Sequence, residues 1–111
     1  MEQTARTQPE ETVLQKLADF YTVFSDCNRV KVLFQLIDGE KCVSEIAEAV
    51  GISQSATSHQ LRFLKQMAVV GNRRAGKSIY YRLIDDHIQT ILKTGLEHVL
   101  EPEDAHDAHD E

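Results

Sequence analysis

The feature that most limits what this chain can fold into is a three-residue turn, Gly51-Ile52-Ser53, between two segments of helical periodicity. Glycine ends helices because it adopts a left-handed backbone conformation at little cost, and serine can cap the start of the next helix. Two short helices joined by such a turn predict a helix-turn-helix unit. The residues expected to face inward are Val43, Ile46, Ala47 and Val50 before the turn and Ala56, Leu61, Leu64 and Met67 after it.

Two further helices are expected before this unit. A first apolar stripe at helical spacing follows a polar stretch of ten residues, and a second begins after Ser25-Asp26, which can cap it. Asp38-Gly39 is expected to end the second helix. The two stripes consist of Val13, Leu14, Leu17, Phe20, Tyr21 and Phe24, and then of Val30, Leu33, Phe34 and Ile37.

The second helix of the helix-turn-helix unit has a polar outward face. Its members are Gln54 at the start of the helix, followed by Ser55, Ser58, His59 and Arg62 at helical spacing. Side chains of these types bond base edges and phosphates, and base contacts concentrate in the first turns of a recognition helix. An ordinary solvated face has a similar pattern, but DNA contact is the favoured interpretation.

Charge is strongly segregated along the sequence. The whole chain carries −6, but residues 54–83 contain no Asp or Glu and carry +6, which leaves −12 for the remainder. A basic segment within an acidic protein is typical of a phosphate-binding surface. The cations of this segment are Arg62, Lys65, Arg73, Arg74, Lys77 and Arg82.

A β-hairpin is predicted directly after the recognition helix. Residues 69–74 and 78–83 have strand-like composition and are joined at Ala75-Gly76-Lys77, so the tip is cationic. Such a hairpin can lie along the duplex backbone or enter the minor groove, with Arg73, Arg74 and Lys77 as its DNA contacts. The predicted fold class is therefore mainly α with a β-hairpin wing, which is a winged helix-turn-helix.

Three motifs together resemble the ArsR/SmtB family of winged-helix metal-sensing repressors, over residues 12–101. They are Glu40-Lys41-Cys42-Val43-Ser44-Glu45-Ile46, then Ser53-Gln54-Ser55-Ala56-Thr57-Ser58-His59-Gln60-Leu61-Arg62-Phe63-Leu64, and the two clusters Asp85/His87 and His98/Glu101. The last motif is similar to that of the branch that senses zinc and cobalt. The resemblance implies double-stranded operator DNA as a partner, a homodimer formed through N- and C-terminal helices, and metal ligands at Asp85, His87, His98 and Glu101.

The spacing of the two histidines bears on how the implied metal site is built. His87 and His98 are eleven residues apart, which on a helix places them on one face but about 16 Å apart along the axis. Zinc lies about 2 Å from its ligands, so one helix cannot close the site. Two helices packed antiparallel about a two-fold axis can close it. Each site then takes Asp85 and His87 from one chain and His98 and Glu101 from the other.

The stretch between the two clusters supports such a packing. It has a wider apolar stripe than a short terminal helix needs to dock on its own domain. Gly95 lies on the same side and permits a close approach of two helices, at a cost in helix propensity. The stripe consists of Ile88, Ile91, Leu92, Leu96, Val99 and Leu100.

Two alternatives stay open for the signal that the protein senses. His106 and His109 in the tail could add ligands for a nickel or cobalt sensor, although the tail composition favours disorder. Cys27 or Cys42 could instead make the protein a thiol redox-switched repressor. A soft-metal site at Cys42-Val43-Ser44 is incomplete, because a second thiolate is absent there.

Composition and motifs bound the remaining classes. A chain of 111 residues suits one domain, here residues 11–101, with a disordered arm at 1–10 and an acidic, histidine-containing tail at 102–111. Two cysteines and no apolar run of transmembrane length lead us to expect a reduced, cytoplasmic setting without a membrane partner. No His-Glu-x-x-His, phosphate-binding glycine loop or nucleophile motif is present, so an enzyme is not expected.

The expected function follows from these features together. The chain is expected to repress transcription as a metal-free homodimer on operator DNA and to be released when Zn(II) binds at the dimer interface. Co(II) and Ni(II) are the other effector ions expected.

Overall fold

The computed structural model describes residues 8–102, which form a mainly helical domain with one small sheet. His106 and His109, on which the nickel or cobalt alternative depends, lie outside the described residues. The elements in chain order are α1 (Glu11–Thr22), a 3-10 turn (Val23–Ser25), α2 (Cys27–Gln35), β1 (Lys41–Cys42), α3 (Val43–Val50), α4 (Gln54–Gln66), β2 (Val70–Ala75), β3 (Ser78–Leu83) and α5 (Asp86–Leu100).

Helices α3 and α4 and the turn between them form the predicted helix-turn-helix. Gly51 has a φ of 84°, and its N–H donates to the Ala47 carbonyl at 2.8 Å, so this glycine ends α3. The Ser53 hydroxyl oxygen accepts the N–H of Ala56 at 3.0 Å and caps α4. The turn chemistry read from the sequence is therefore confirmed.

The inward face of α4 differs from the prediction by one position. Ala56 is exposed, whereas Thr57 is fully buried beside Leu61 and Leu64. The Thr57 hydroxyl donates to the Ser53 carbonyl at 2.8 Å, which satisfies this polar group within the core. A periodicity of apolar residues does not detect a buried polar residue of this kind.

Helix α2 begins as predicted but ends earlier. Asp26 caps its start, because a carboxylate oxygen accepts a backbone N–H of the first turn at 3.0 Å. The helix ends at Gln35, before the predicted stop at Asp38-Gly39, and the Leu36 N–H already bonds three residues back rather than four. Val32, which the predicted apolar face omits, is fully buried.

The wing is a three-stranded antiparallel sheet with the order β1-β3-β2, so the predicted hairpin is extended by one strand. Strands β2 and β3 are in register from Val70 opposite Leu83 to Ala75 opposite Ser78, which leaves a two-residue turn. Gly76 has a φ of 65° at the first turn position, where glycine is favoured in two-residue hairpins. The third strand, β1, was not predicted and pairs with β3 through Tyr80 and Tyr81.

One hydrophobic core joins the helix-turn-helix to β2, α2 and α5. Its members come from every one of these elements, so the recognition helix and the wing share a common support. The buried residues of the core are Val23, Val32, Leu33, Leu36, Ile46, Leu61, Leu64, Val69, Val70, Ile88 and Leu92.

The first and last helices leave much apolar surface exposed in a single chain. No residue of α1 is buried, and only Ile88 and Leu92 of α5 are. None of the helices in residues 8–102 is long and apolar enough to cross a membrane. The exposed large apolar residues are Val13, Leu17 and Tyr21 of α1, Ile84 before α5, and Leu96, Val99 and Leu100 of α5.

Candidate functional site

The polar face predicted for the recognition helix exists along α4. Gln54, Ser55, His59 and Arg62 are exposed and Ser58 is half-buried. The opposite face of α4 is anchored in the core, so the helix presents these five side chains on its outward side. Their arrangement suits hydrogen bonding to base edges in a major groove.

The tip of the wing lies beside the start of this helix. A cleft of about 290 Å³ is lined by Gln54 of α4, by Lys77 of the hairpin turn, by Ser78 at the start of β3 and by Ser44 at the start of α3. Arg74 and Lys77 are exposed on the hairpin. The structure therefore brings Lys77, one of the predicted wing cations, beside the start of the predicted recognition helix.

Arg73, a predicted DNA contact on the wing, is already engaged within the protein. Its guanidinium donates to Glu40 from Nε at 2.8 and 3.1 Å and from Nη2 at 2.7 Å. It also lies over the ring of Tyr80, 5.3 Å from the centroid. The hydrogen bonds from Arg73 hold the pKa of Glu40 below its ordinary value of 4.5, while Glu40 raises the pKa of Arg73.

Sequence reasoning assigned no role to Glu40. The residue precedes β1, and Arg73 lies 33 positions later on β2, so no local pattern connects the two. Arg73 reaches Glu40 because β1, β3 and β2 lie side by side and the two side chains share one face of the sheet. A predicted third strand would have been the only signal for this contact.

The predicted first metal half-site, which consists of Asp85 and His87, lies where α5 begins. Asp85 caps α5, and its Oδ1 accepts the N–H of His87 at 3.0 Å. The second carboxylate oxygen, Oδ2, lies 3.4 Å from Nδ1 of the same histidine. The two side chains are 51% and 89% exposed respectively, so both can be reached from outside the chain.

The predicted second half-site, which consists of His98 and Glu101, lies where α5 ends. His98 lies in the last turn, and Glu101 follows the helix with extended backbone angles, its N–H donating to the His98 carbonyl at 3.2 Å. Both residues are exposed. Within residues 8–102, no three His, Cys, Asp or Glu side chains are grouped so that they could hold a metal ion. One chain therefore brings together each pair of predicted ligands but not the two pairs.

The donor atoms suit zinc if the two half-sites meet. Imidazole nitrogen and carboxylate oxygen are ordinary zinc ligands, and four of them complete a tetrahedral site. A bond from Oδ2 of Asp85 to the ion would leave the Oδ1 bond that caps α5 in place. Each end of α5 thus carries two side chains of the types that bind zinc.

The two cysteines are free thiols in different surroundings. Cys27 is exposed at the first position of α2, and Cys42 is half-buried, with its Sγ 3.4 Å from the Ser44 hydroxyl. The Glu45 carboxylate accepts the N–H of Cys42 at 2.9 Å. That hydrogen bond lowers the pKa of Glu45. Cys42 thus lies at the capped start of α3.

Comparison with known proteins agrees with this arrangement. The family model described as "Bacterial regulatory protein, arsR family" matches residues 26–70, from the cap of α2 to the first residue of β2. A protein described as a transcriptional repressor SmtB homolog, from Synechocystis sp., is 36% identical over 104 residues. That match covers 91% of this chain and 79% of the relative.

Solved structures show the same fold. The antimony-specific transcriptional repressor AntR superimposes with a TM-score of 0.78 at 27% identity, over 92% of this chain and 90% of that chain. A homodimeric winged helix-turn-helix DNA-binding domain from Mycobacterium bovis has a TM-score of 0.76 at 23% identity, over 96% and 97% of the two chains. The predicted winged helix-turn-helix is confirmed, and the proteins that this chain resembles are transcriptional regulators rather than enzymes.

Proposed function

The chain belongs to the arsR family of bacterial regulatory proteins as a metal-responsive transcriptional repressor, and on that premise we propose that zinc is the ion to which it responds. The metal-free homodimer binds operator DNA, and Zn(II) releases it. The observation that carries this proposal is the position of the two half-sites at opposite ends of α5, a helix whose apolar face is exposed in the single chain.

The homodimer completes two zinc sites. Antiparallel packing of two α5 helices brings Asp85 and His87 of one chain to His98 and Glu101 of the other. Exposed apolar residues at both ends of the chain support this packing, because a second copy removes them from water. The length of α5 suits this packing. Asp85 and His87 lie within one turn of its start, and His98 and Glu101 lie within one turn of its end.

The homodimer reads DNA through the outward face of α4 and through the wing. Gln54, Ser55, Ser58, His59 and Arg62 contact the major groove, and Arg73, Arg74 and Lys77 contact the phosphate backbone. A two-fold dimer places its recognition helices on two half-sites of an inverted repeat, about one helical turn apart. Zinc favours a dimer geometry in which both helices no longer fit the repeat together, and by linkage DNA weakens zinc binding by the same factor.

The test separates metal sensing from DNA binding. His87→Ala and His98→Ala should each abolish zinc-driven release while leaving the affinity of the metal-free dimer for DNA unchanged, because both residues lie on α5, which carries none of the proposed DNA contacts. Fluorescence anisotropy measures both quantities on a duplex enriched from a random pool by the metal-free wild-type protein. Lys93→Ala, an exposed charge on the same helix, is the matched control and should respond as the wild type does.

Two results would count against the proposal. Zinc release that persists in both histidine variants would remove these residues from the site. Loss of release in a thiol-free protein, Cys27→Ser with Cys42→Ser, would assign the signal to the cysteines instead.

A further inference from the structure

Helix α1 is fastened to the rest of the domain at its C-terminal end. None of its own residues is buried, but Val23, directly after it, is completely buried. Phe20 packs edge-on against Phe24 with the ring centroids 5.4 Å apart. The C-terminal end of α1 therefore packs against the core of the domain.

Arg29 of α2 binds that end directly. Its Nε donates to the Val23 carbonyl at 2.9 Å and its Nη2 donates to the Thr22 carbonyl at 3.1 Å. These are terminal carbonyls of α1 and the following turn, where the helix dipole attracts a cation. The backbone N–H of Arg29 is held by Asp26 at 3.0 Å, so the residue itself is fixed in α2.

The guanidinium of Arg29 also contacts the recognition helix, α4. Its central carbon is 4.8 Å from the centroid of the Phe63 ring, and Phe63 belongs to α4. Phe63 directly follows Arg62, a proposed DNA contact, and packs against the core from its half-buried position. One side chain thus joins the end of α1, the start of α2 and the recognition helix.

The first metal half-site borders the same end of α1. A cleft of about 470 Å³ separates α1 from the beginning of α5, and its lining includes Phe20 and Tyr21 of α1 together with Asp85 and His87. An ion bound by Asp85 and His87 would therefore lie next to the part of α1 whose final carbonyls Arg29 holds. The half-site and the end of α1 therefore line one cleft, and Arg29 links that end of α1 to Phe63.

We propose that Arg29 is the positioning residue that sets the recognition helix relative to the end of α1, and so conveys the state of the dimer to DNA. The inference deepens the proposed function and rests on it for the part that concerns metal. A guanidinium is suited to this position because its planar fork can donate to two carbonyls while its face stacks on an aromatic ring. A lysine ammonium has neither the fork nor the face.

The test uses two conservative substitutions. Arg29→Lys keeps the charge and loses the fork, and Phe63→Leu keeps an apolar side chain and loses the ring. Each should weaken binding of the metal-free dimer to the enriched duplex about fivefold, the effect of one cation–π contact. The double variant should bind no more weakly than either single variant, because both lose the same contact.

Three further measurements make the test specific. The slope of log affinity against log salt should stay as in the wild type, since Arg29 donates to carbonyls rather than to phosphates. Sedimentation velocity should show the same dimer as in the wild type, and the zinc affinity of the DNA-free protein should not change. The ratio of the DNA affinity without zinc to the DNA affinity with zinc should fall. Lys31→Ala, an exposed cation on the same helix, should leave all of these quantities unaltered.

The outcomes that overturn the proposal are distinct from those that overturn zinc sensing. A flatter salt slope in Arg29→Lys would make Arg29 a phosphate contact, and additive losses in the double variant would separate it from Phe63. Unchanged DNA affinity in both single variants would remove the positioning role. If zinc fails to release even the wild type, the proposed function fails, while metal-free DNA binding still tests Arg29.

Discussion

The guanidinium of Arg73, which the sequence predicts as a DNA contact, is paired with Glu40 in the folded chain. The pKa of Glu40 lies below its ordinary value because Arg73 donates hydrogen bonds to its charged form. A carboxylate with a depressed pKa contributes its stability above its unfolded pKa and loses it as pH falls through the folded one. At neutral pH Glu40 is therefore charged, so a DNA phosphate has to compete with Glu40 for Arg73.

This competition predicts a ranking of salt dependences. Lys77→Ala should reduce the slope of log affinity against log salt by about 0.9, the value for one lost phosphate contact. Arg73→Ala should reduce it by less, because Arg73 must give up Glu40 before it meets a phosphate. Glu40→Gln should steepen the slope and tighten binding to every duplex. Anisotropy titrations over a salt series measure all three, and weaker binding by Glu40→Gln would make the pair a structural clamp instead.

The sequence predicts residue roles well where the partner is local. Ser53 and Asp26 cap their helices through residues three positions away, so composition and spacing identify both. The Glu40 contact spans 33 positions, and the Arg29 contact with Phe63 depends on how two helices pack, so neither has a sequence signature. Side-chain partners across the fold become visible only with the fold itself.

At the scale of elements, one face of the recognition helix packs in the core, and the opposite face is the one proposed to contact DNA. Thr57 points into the core, while Ser58 and His59 follow it towards the outward side. Ser58→Ala and His59→Ala should therefore weaken binding to the enriched duplex by about 1–3 kcal/mol per lost base contact and change binding to random duplexes little. Anisotropy on both kinds of duplex gives the ratio.

Gln66→Ala is the matched control for this prediction, because Gln66 is exposed at the far end of the same helix. Its ratio of specific to non-specific affinity should equal that of the wild type. Equal weakening on enriched and random duplexes in Ser58→Ala and His59→Ala would assign these residues to the phosphate backbone rather than to bases.

Element boundaries show what the sequence could and could not predict. The helices, the hairpin and the glycine turn were all predicted, because period and turn chemistry act within a few residues. β1 consists of only Lys41 and Cys42 and forms a strand solely through its pairing with β3. The early end of α2 at Gln35 likewise depends on a tightened turn rather than on the glycine that follows.

At the scale of the whole molecule, the chain has the features of one half of an assembly. Val99 and Leu100 are 72% and 71% exposed near the end of α5, beside the second metal half-site. Val13, Leu17 and Tyr21 of α1 are exposed in the same way. In the proposed homodimer, one two-fold partner covers these surfaces and joins the two pairs of predicted metal ligands. The wide apolar stripe of α5 already predicted such a partner from the sequence.

A mixed dimer tests the exchange of ligands between chains. One chain carries His87→Ala and the other carries His98→Ala, and two different affinity tags isolate the heterodimer. In the antiparallel arrangement, one site combines both lesions, while the other takes Asp85 and His87 from the second chain and His98 and Glu101 from the first. The heterodimer should therefore bind one zinc ion with nearly wild-type affinity, whereas each parent homodimer has no intact site.

The stoichiometry from a zinc titration with a competing chelator distinguishes the two possible architectures. If each chain built its own site from both ends of α5, every site in the heterodimer would contain a lesion, and no tight binding would return. The length of α5 argues against that architecture, because 15 residues of helix hold the two half-sites apart. One recovered tight site per heterodimer is the expected result, and its absence would rule out the antiparallel arrangement of α5.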